Sequence, residues 1–220
     1  MSARVPPTAI ALAGVKLDQL RASPLYAKLP AAATAFLEPF REARSLLVAT
    51  TGAEVLTIAG GRVRGATRAA PDPALAGAPA LIAAANVPHA RAAILGAAET
   101  VAADHPIWLA VRGAIPLPLE GNLANLNNLV RLTHYLTVSA RLSDAAGQGV
   151  ELELTAQCPS PGAATEFERR LRAMLSLAAA ANARQPAIAA MLASLQLRRE
   201  QQTVRATLRA APDTLGKLLF

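Results

Sequence analysis

The chain has 220 residues, of which 53% are apolar, 3% aromatic and 17% charged, and its formal net charge is +7. This composition is too apolar for a disordered chain, and no apolar run reaches the about 18 to 20 residues that cross a bilayer. A single cysteine, Cys158, excludes a disulfide-linked scaffold and a cysteine-based zinc module.

Apolar runs, periodic segments and turn residues in the first half predict six elements. They are a strand over 8–15, helices over 17–28 and 31–43, a hairpin of strands 46–50 and 54–58, and a helix over 90–103. Gly52 occupies the hairpin turn, where a permissive backbone is needed. An arginine-rich loop over 62–74 and an alanine-rich stretch separate the hairpin from the last helix.

The second half begins with an almost continuous apolar run over 106–112, which predicts a central strand buried on both faces. Strict alternation then predicts a half-buried antiparallel hairpin of strands 135–142 and 150–158. A loop centred near Ala146 places Arg141 opposite Glu151 and Thr137 opposite Thr155 on the solvent side. The remaining predicted elements are a helix capped by Asn122, helices over 163–183 and 187–195, a hairpin of strands 195–199 and 203–209, and a terminal helix from Asp213.

The unit β-α-β-β-α occurs twice in this order, from Thr8 and again from Pro106. The order resembles two ferredoxin-like units in tandem and suggests an internal duplication. We therefore predict the α+β class, with antiparallel sheets and helices on one face. The predicted units are 1–104 (βααββα) and 105–220 (βαββααββα), packed as one compact body.

Two segments are candidate ligand-binding or partner-binding sites. The glycines at 60, 61 and 65 leave backbone N–H groups free in an arginine-rich loop, which can hold an anion. The asparagine-rich segment 120–129 offers a polar helix face although asparagine is a mediocre helix former. The candidate residues are Arg62, Arg64, Arg68, Asn122, Asn125, Asn127 and Asn128.

No motif for catalysis or metal binding is present. The glycine-rich loop lacks the Gly-Lys-Ser/Thr of a P-loop, and no Gly-x-Ser-x-Gly elbow occurs. Cys158 falls on an inward strand position, and the histidines at 89, 105 and 134 lack metal-ligand spacing. We predict no catalytic residue, no metal and no cofactor, and regard an enzyme as the weaker hypothesis.

The sequence thus favours a soluble, non-catalytic domain that binds a small ligand, another protein or a second copy of itself. One alternative is weak binding of an anion or nucleic acid through the loop and the last hairpin, which carries Arg198, Arg199, Arg205 and Arg209. Another is an enzyme that uses His105 or His134 with a carboxylate. Because enrichment in arginine and alanine is typical of a GC-rich bacterial genome, the positive charge alone does not predict a nucleic-acid partner. The chain as written is expected in the cytoplasm, or outside it if a signal segment has been removed.

Overall fold

The computed structural model describes residues 2–61, 73–115, 126–142, 149–211 and 214. The strands of this part are β1 (Ala11–Lys16), β2 (Ala43–Thr50), β3 (Val55–Gly61), β4 (Ala74–Gly77), β5 (Ile107–Arg112), β6 (Tyr135–Leu142), β7 (Val150–Gln157), β8 (Gln196–Glu200) and β9 (Thr203–Ala210). The α-helices are α1 (Leu17–Ala22), α2 (Ala31–Leu37), α3 (Pro79–Ala85), α4 (Leu95–Ala102), α5 (Leu126–Val130), α6 (Pro161–Ala181) and α7 (Pro186–Ala193). The mixed content and the antiparallel pairing confirm the predicted α+β class. The chain divides into two compact units, Met1–Ala110 and Val111–Phe220.

In the first unit the strands lie in the order β4-β3-β2-β1-β5. The predicted hairpin forms between β2 and β3, and Gly52 in its turn has a φ of 98°. The ferredoxin-like order is not confirmed here, because β1 to β4 are neighbours in the sheet in the same order as in the sequence. A split βαβ arrangement would interleave strands instead.

The first unit has its own apolar core. Leu17 and Leu20 of α1 pack against Ala43 and Leu46 of β2 and Ala59 of β3. All five are buried. The short helix α1 is therefore held by the apolar face it lays on the strands rather than by its length.

In the second unit the order is β6-β7-β9-β8. The predicted register is confirmed, since Arg141 lies opposite Glu151 and Thr137 lies opposite Thr155. The expectation that this face meets solvent is wrong at the middle of β6, where Thr137 and Ser139 are only 8% and 3% exposed. The polar side of β6 is therefore buried at Thr137 and Ser139, whereas Leu136 and Val138 on its other side are half-buried.

Helix α6 supplies the centre of the second core. Its first turn is capped by Ser160, whose hydroxyl oxygen accepts a hydrogen bond from the backbone N–H of Ala163. Phe167 is fully buried and belongs to a cluster with Cys158 and Val204. This packing joins α6 to the apolar face of β7 and β9.

Several predicted boundaries were wrong, and proline explains two of them. Helix α1 ends at Ala22 because Pro24 lacks an N–H group and fixes its own φ. Helix α2 ends at Leu37, where a 3-10 turn containing Pro39 begins. The alanine-rich stretch holds β4 and α3, neither of which the sequence predicted, and α4 begins only at Leu95.

The strand predicted to be buried on both faces, 106–112, is confirmed only as a strand. Leu109 at its middle is 37% exposed, and Trp108 is half-buried. A continuous apolar run predicts burial on both faces. It does not show, however, whether other elements cover both faces of the strand. Within the described residues, no helix has both the length and the apolar character needed to span a membrane.

Candidate ligand-binding site

A cavity of about 220 Å³ lies within the first unit. Its walls come from β1, β2, α4, one residue of β5 and the N-terminal 3-10 turn, Ser2–Arg4. The lining residues are Ser2, Gly14, Val15, Lys16, Ser45, Leu46, Leu47, Leu95, Ala98, Glu99, Ala102 and Trp108. Most of these side chains are apolar, as in typical small-molecule sites.

Gly14 and Trp108 lie in close contact in the lining of this cavity. A Cβ atom added to Gly14 would overlap the Trp108 indole where its two rings join. The indole therefore lies directly over the backbone of β1, in space that any other residue at position 14 would fill. This close approach requires glycine because of the contact, not because of a left-handed φ.

Helix α4 forms one wall of the cavity. Leu95, Ala98, Glu99 and Ala102 are spaced three, four and seven residues from the first, which is the spacing of one helix face. Leu95 and Ala98 are buried. Ala98 thus contributes a small, buried side chain to this wall.

The facing wall is a set of adjacent rungs of β1 and β2. Gly14 lies opposite Leu47, Val15 opposite Leu46 and Lys16 opposite Ser45 in the antiparallel register. The two leucines are buried. The cavity thus lies over an ordered part of the sheet, which fixes its shape.

Polar groups lie on the lining at few positions. The Lys16 ammonium donates a hydrogen bond of 3.1 Å to the carbonyl oxygen of Ala103, just beyond the end of α4. The Glu99 carboxylate is paired with Arg91. The N-terminal turn that contributes Ser2 is held by Arg4. The Arg4 guanidinium donates a hydrogen bond of 3.1 Å to the carbonyl oxygen of Ala85.

None of the predicted site residues that the structure describes lines this cavity. Arg62, Arg64, Arg68, Asn122 and Asn125 lie outside the described residues. Asn127 and Asn128 are on α5, the first half-buried and the second exposed. Neither contributes to the cavity in the first unit.

The sequence reasoning missed the pair formed by Gly14 and Trp108. The chain contains one tryptophan, and it lies in the strand predicted over 106–112. A glycine inside the first predicted strand signals a close approach by another group. Which group approaches depends on the pairing of β1 with β5, and no local pattern encodes that pairing.

A second, polar cavity of about 300 Å³ lies on the outer face of the second unit, over β7, β8 and β9. Two of the arginines that line it, Arg205 and Arg209, are paired with carboxylates. The Arg205 Nε atom lies 3.0 Å from Glu153, and the Arg209 Nε atom lies 3.2 Å from Glu151. These ion pairs neutralise part of the charge that the last hairpin offers to an anion.

Arginines also satisfy two carboxylates of α6. Hydrogen bonds from Arg169 and Arg170 lower the pKa of Glu166 to about 2. Hydrogen bonds from Arg172 and Arg199 lower the pKa of Glu168, and the Arg199 contact of 2.9 Å links α6 to β8. These groups are ionised near neutral pH and are held in structural pairs.

Two other groups that could carry chemistry, His105 and Cys158, have structural surroundings. The His105 Nδ1 atom lies 3.0 Å from the carbonyl oxygen of Val101 in α4. Burial raises the pKa of the Cys158 thiol, which disfavours the reactive thiolate. In the described ranges, no cluster of three or more His, Cys, Asp or Glu residues could hold a metal ion.

Comparisons with known proteins agree with the fold. No family model and no curated protein matches the sequence. The structure of TP0453 in crystal form III matches with a TM-score of 0.60 and 9% identity, over 99% of this chain and 96% of that one. Crystal form I of TP0453 matches with a TM-score of 0.51 and 8% identity, over 100% of this chain and 98% of that one. At such low identity the similarity concerns the fold alone.

Proposed function

We propose that this protein binds a small apolar ligand in the cavity of its first unit and has no catalytic role there. The observation that carries the proposal is the cavity of about 220 Å³ between α4 and the β1–β2 face, with Trp108 in its lining. Apolar walls with a few polar groups at defined positions are the usual composition of a binding site. The Lys16 ammonium bonds to a backbone carbonyl and the Glu99 carboxylate to Arg91, an arrangement that suits binding rather than proton transfer.

The volume limits the ligand. An apolar cavity of about 150 Å³ is large enough to hold benzene, with its six carbon atoms. By the same ratio this cavity holds about nine non-hydrogen atoms. A single ring with a short substituent or an eight-carbon chain meets this limit, whereas a complete lipid does not.

Trp108 provides a direct test because it is the only tryptophan in the chain. Titration with 1-octanol should change its emission and give a saturable curve, with a dissociation constant on the order of 0.1 to 1 mM. Octanol should also raise the thermal unfolding temperature by mass action. The absence of any saturable change up to the solubility limit of octanol would overturn the proposal.

A matched pair of variants separates the cavity from the rest of α4. Ala98→Leu fills the cavity and should abolish the saturable change, whereas Ala97→Leu, one residue away and outside the lining, should preserve it. Ala102→Leu provides a second filling variant if Ala98→Leu does not fold. Equal binding by the wild type, a folded filling variant and the control would contradict the assignment.

The alternatives drawn from the sequence stay predictions. Binding of an anion or nucleic acid through the arginine loop and the last hairpin predicts an affinity that falls steeply with salt. The pairing of Arg205 with Glu153 and of Arg209 with Glu151 favours the apolar cavity over this alternative.

An enzyme using His105 or His134 would require a carboxylate near either ring, and the His105 Nδ1 atom lies instead at a backbone carbonyl. The tandem duplication and a role in binding another protein also stay proposals.

A further inference from the structure

The two charged side chains that line the apolar cavity differ in how many of their hydrogen-bonding groups already have a partner. Lys16 and Glu99 are the two residues of its lining that carry charge. They come from different elements, since Lys16 is the last residue of β1 and Glu99 lies in α4. The chemistry of the ligand's polar end follows from comparing them.

The Lys16 ammonium is held in place but retains hydrogen-bonding capacity. The backbone N–H of Lys16 donates a hydrogen bond of 2.7 Å to the carbonyl oxygen of Pro106. The Lys16 Nζ atom donates a hydrogen bond of 3.1 Å to the carbonyl oxygen of Ala103. The end of a helix favours a cation, so the position of the ammonium after α4 is stabilised. An ammonium has three N–H donors, and this contact uses one of them.

The Glu99 carboxylate is already neutralised. Its Oε2 atom accepts a hydrogen bond from the guanidinium of Arg91, a residue that does not line the cavity. A cationic ligand would therefore compete with Arg91 for Glu99 and would be repelled by Lys16. An anionic ligand would meet a cation whose other two N–H donors have no partner among the described residues.

We infer that the ligand is a monocarboxylate with an apolar tail, whose carboxylate accepts hydrogen bonds from Lys16 while the tail lies against Trp108 and α4. This inference rests on the proposed function. It adds the charge of the ligand and names Lys16 as the residue that determines specificity. The serine hydroxyls at positions 2 and 45 are further polar groups of the same lining.

The test compares three ligands with the same eight-carbon chain: octanoate, 1-octanol and octylamine. Each is titrated against the wild type and against Lys16→Met, with Trp108 emission as the readout. Octanoate should bind the wild type about five-fold more tightly than octanol, the effect of one partly exposed charge pair. Octylamine should bind more weakly than octanol.

Lys16→Met keeps an unbranched side chain that is one atom shorter and removes the charge. It should remove the preference for octanoate and leave the affinity for octanol within about two-fold, since the hydrophobic contribution depends on buried area. Lys28→Met is the matched control, because it removes the same charge from a residue outside the lining. It should leave the preference unchanged.

The outcomes separate the two proposals. If none of the three ligands changes the emission, the proposed function fails and this inference fails with it. If octanol binds as tightly as octanoate, or if Lys16→Met weakens both equally, the apolar site stands and the inference about Lys16 is overturned. If Lys16→Met unfolds, Lys16→Gln with the same three ligands gives the same comparison.

Discussion

Single residues define the candidate site through size as much as through chemistry. Gly14 has no Cβ, and this absence admits the Trp108 indole over β1. Gly96, in the first turn of α4, has no atom within 4 Å of an added Cβ. Two glycines of the same unit therefore have opposite tolerance for a methyl group.

Gly14→Ala should lower the free energy of unfolding by about 1 to 3 kcal/mol, because the methyl group displaces the indole from a packed position. It should also shift the Trp108 emission to longer wavelength. Denaturant unfolding followed by circular dichroism measures the first effect independently of the second.

The control is Gly96→Ala, which should be neutral or stabilise by up to about 1 kcal/mol because alanine is the better helix former. Equal effects of the two substitutions would contradict the contact between Gly14 and Trp108.

At the scale of elements, charge pairs complement apolar packing. Glu166 bonds within α6, whereas Glu168 connects α6 to β8 through Arg199. Both carboxyl groups have a lowered pKa in the folded chain. The unfolded chain binds more protons than the folded chain at low pH, so stability falls as the pH falls.

The double variant Glu166→Gln, Glu168→Gln should therefore change the acid limb of stability. The stabilisation by Glu166 is fully present above its ordinary pKa of about 4.5 and is lost as the pH falls toward about 2. The wild type should lose more thermal stability over this interval than the double variant.

Thermal unfolding at several pH values between 5 and 2 measures this difference. Arg41→Gln, which removes a weak and exposed pair with Glu38, is the control and should follow the wild type. Parallel curves for the wild type and the double variant would show that the pairs contribute nothing.

At the scale of the whole molecule, each compact unit has its own apolar cluster. The second cluster is centred on Phe167, which is fully buried, while Leu177 lies farther along the same helix and is 72% exposed. Burial should therefore separate the effects of two truncations on one helix.

Phe167→Ala should destabilise the second unit by about 3 to 5 kcal/mol, the usual effect of removing a buried aromatic ring. Leu177→Ala should change stability by less than about 0.5 kcal/mol. Amide hydrogen exchange of β7 and β9 reports on this unit directly. Similar protection factors in the two variants would contradict the placement of Phe167 in the core.

The sequence by itself determined the elements whose patterns are local. The hairpin of β6 and β7 follows from strict alternation, and its register was predicted down to Arg141 opposite Glu151. Alternation fixes the face of each side chain, and centring the loop near Ala146 then sets the pairing. The α+β class follows from the same order of strands and helices.

Only the tertiary structure decided where the candidate site lies. The indole of Trp108 contacts Gly14, which is 94 positions away in the sequence, because β5 lies beside β1 in the sheet. The burial of Thr137 likewise depends on what covers the second face of β6. Alternation shows that this face carries polar side chains, but not whether other elements cover it. A local pattern records the preference of each side chain for water, whereas a cavity depends on which distant elements meet and how much space their side chains leave.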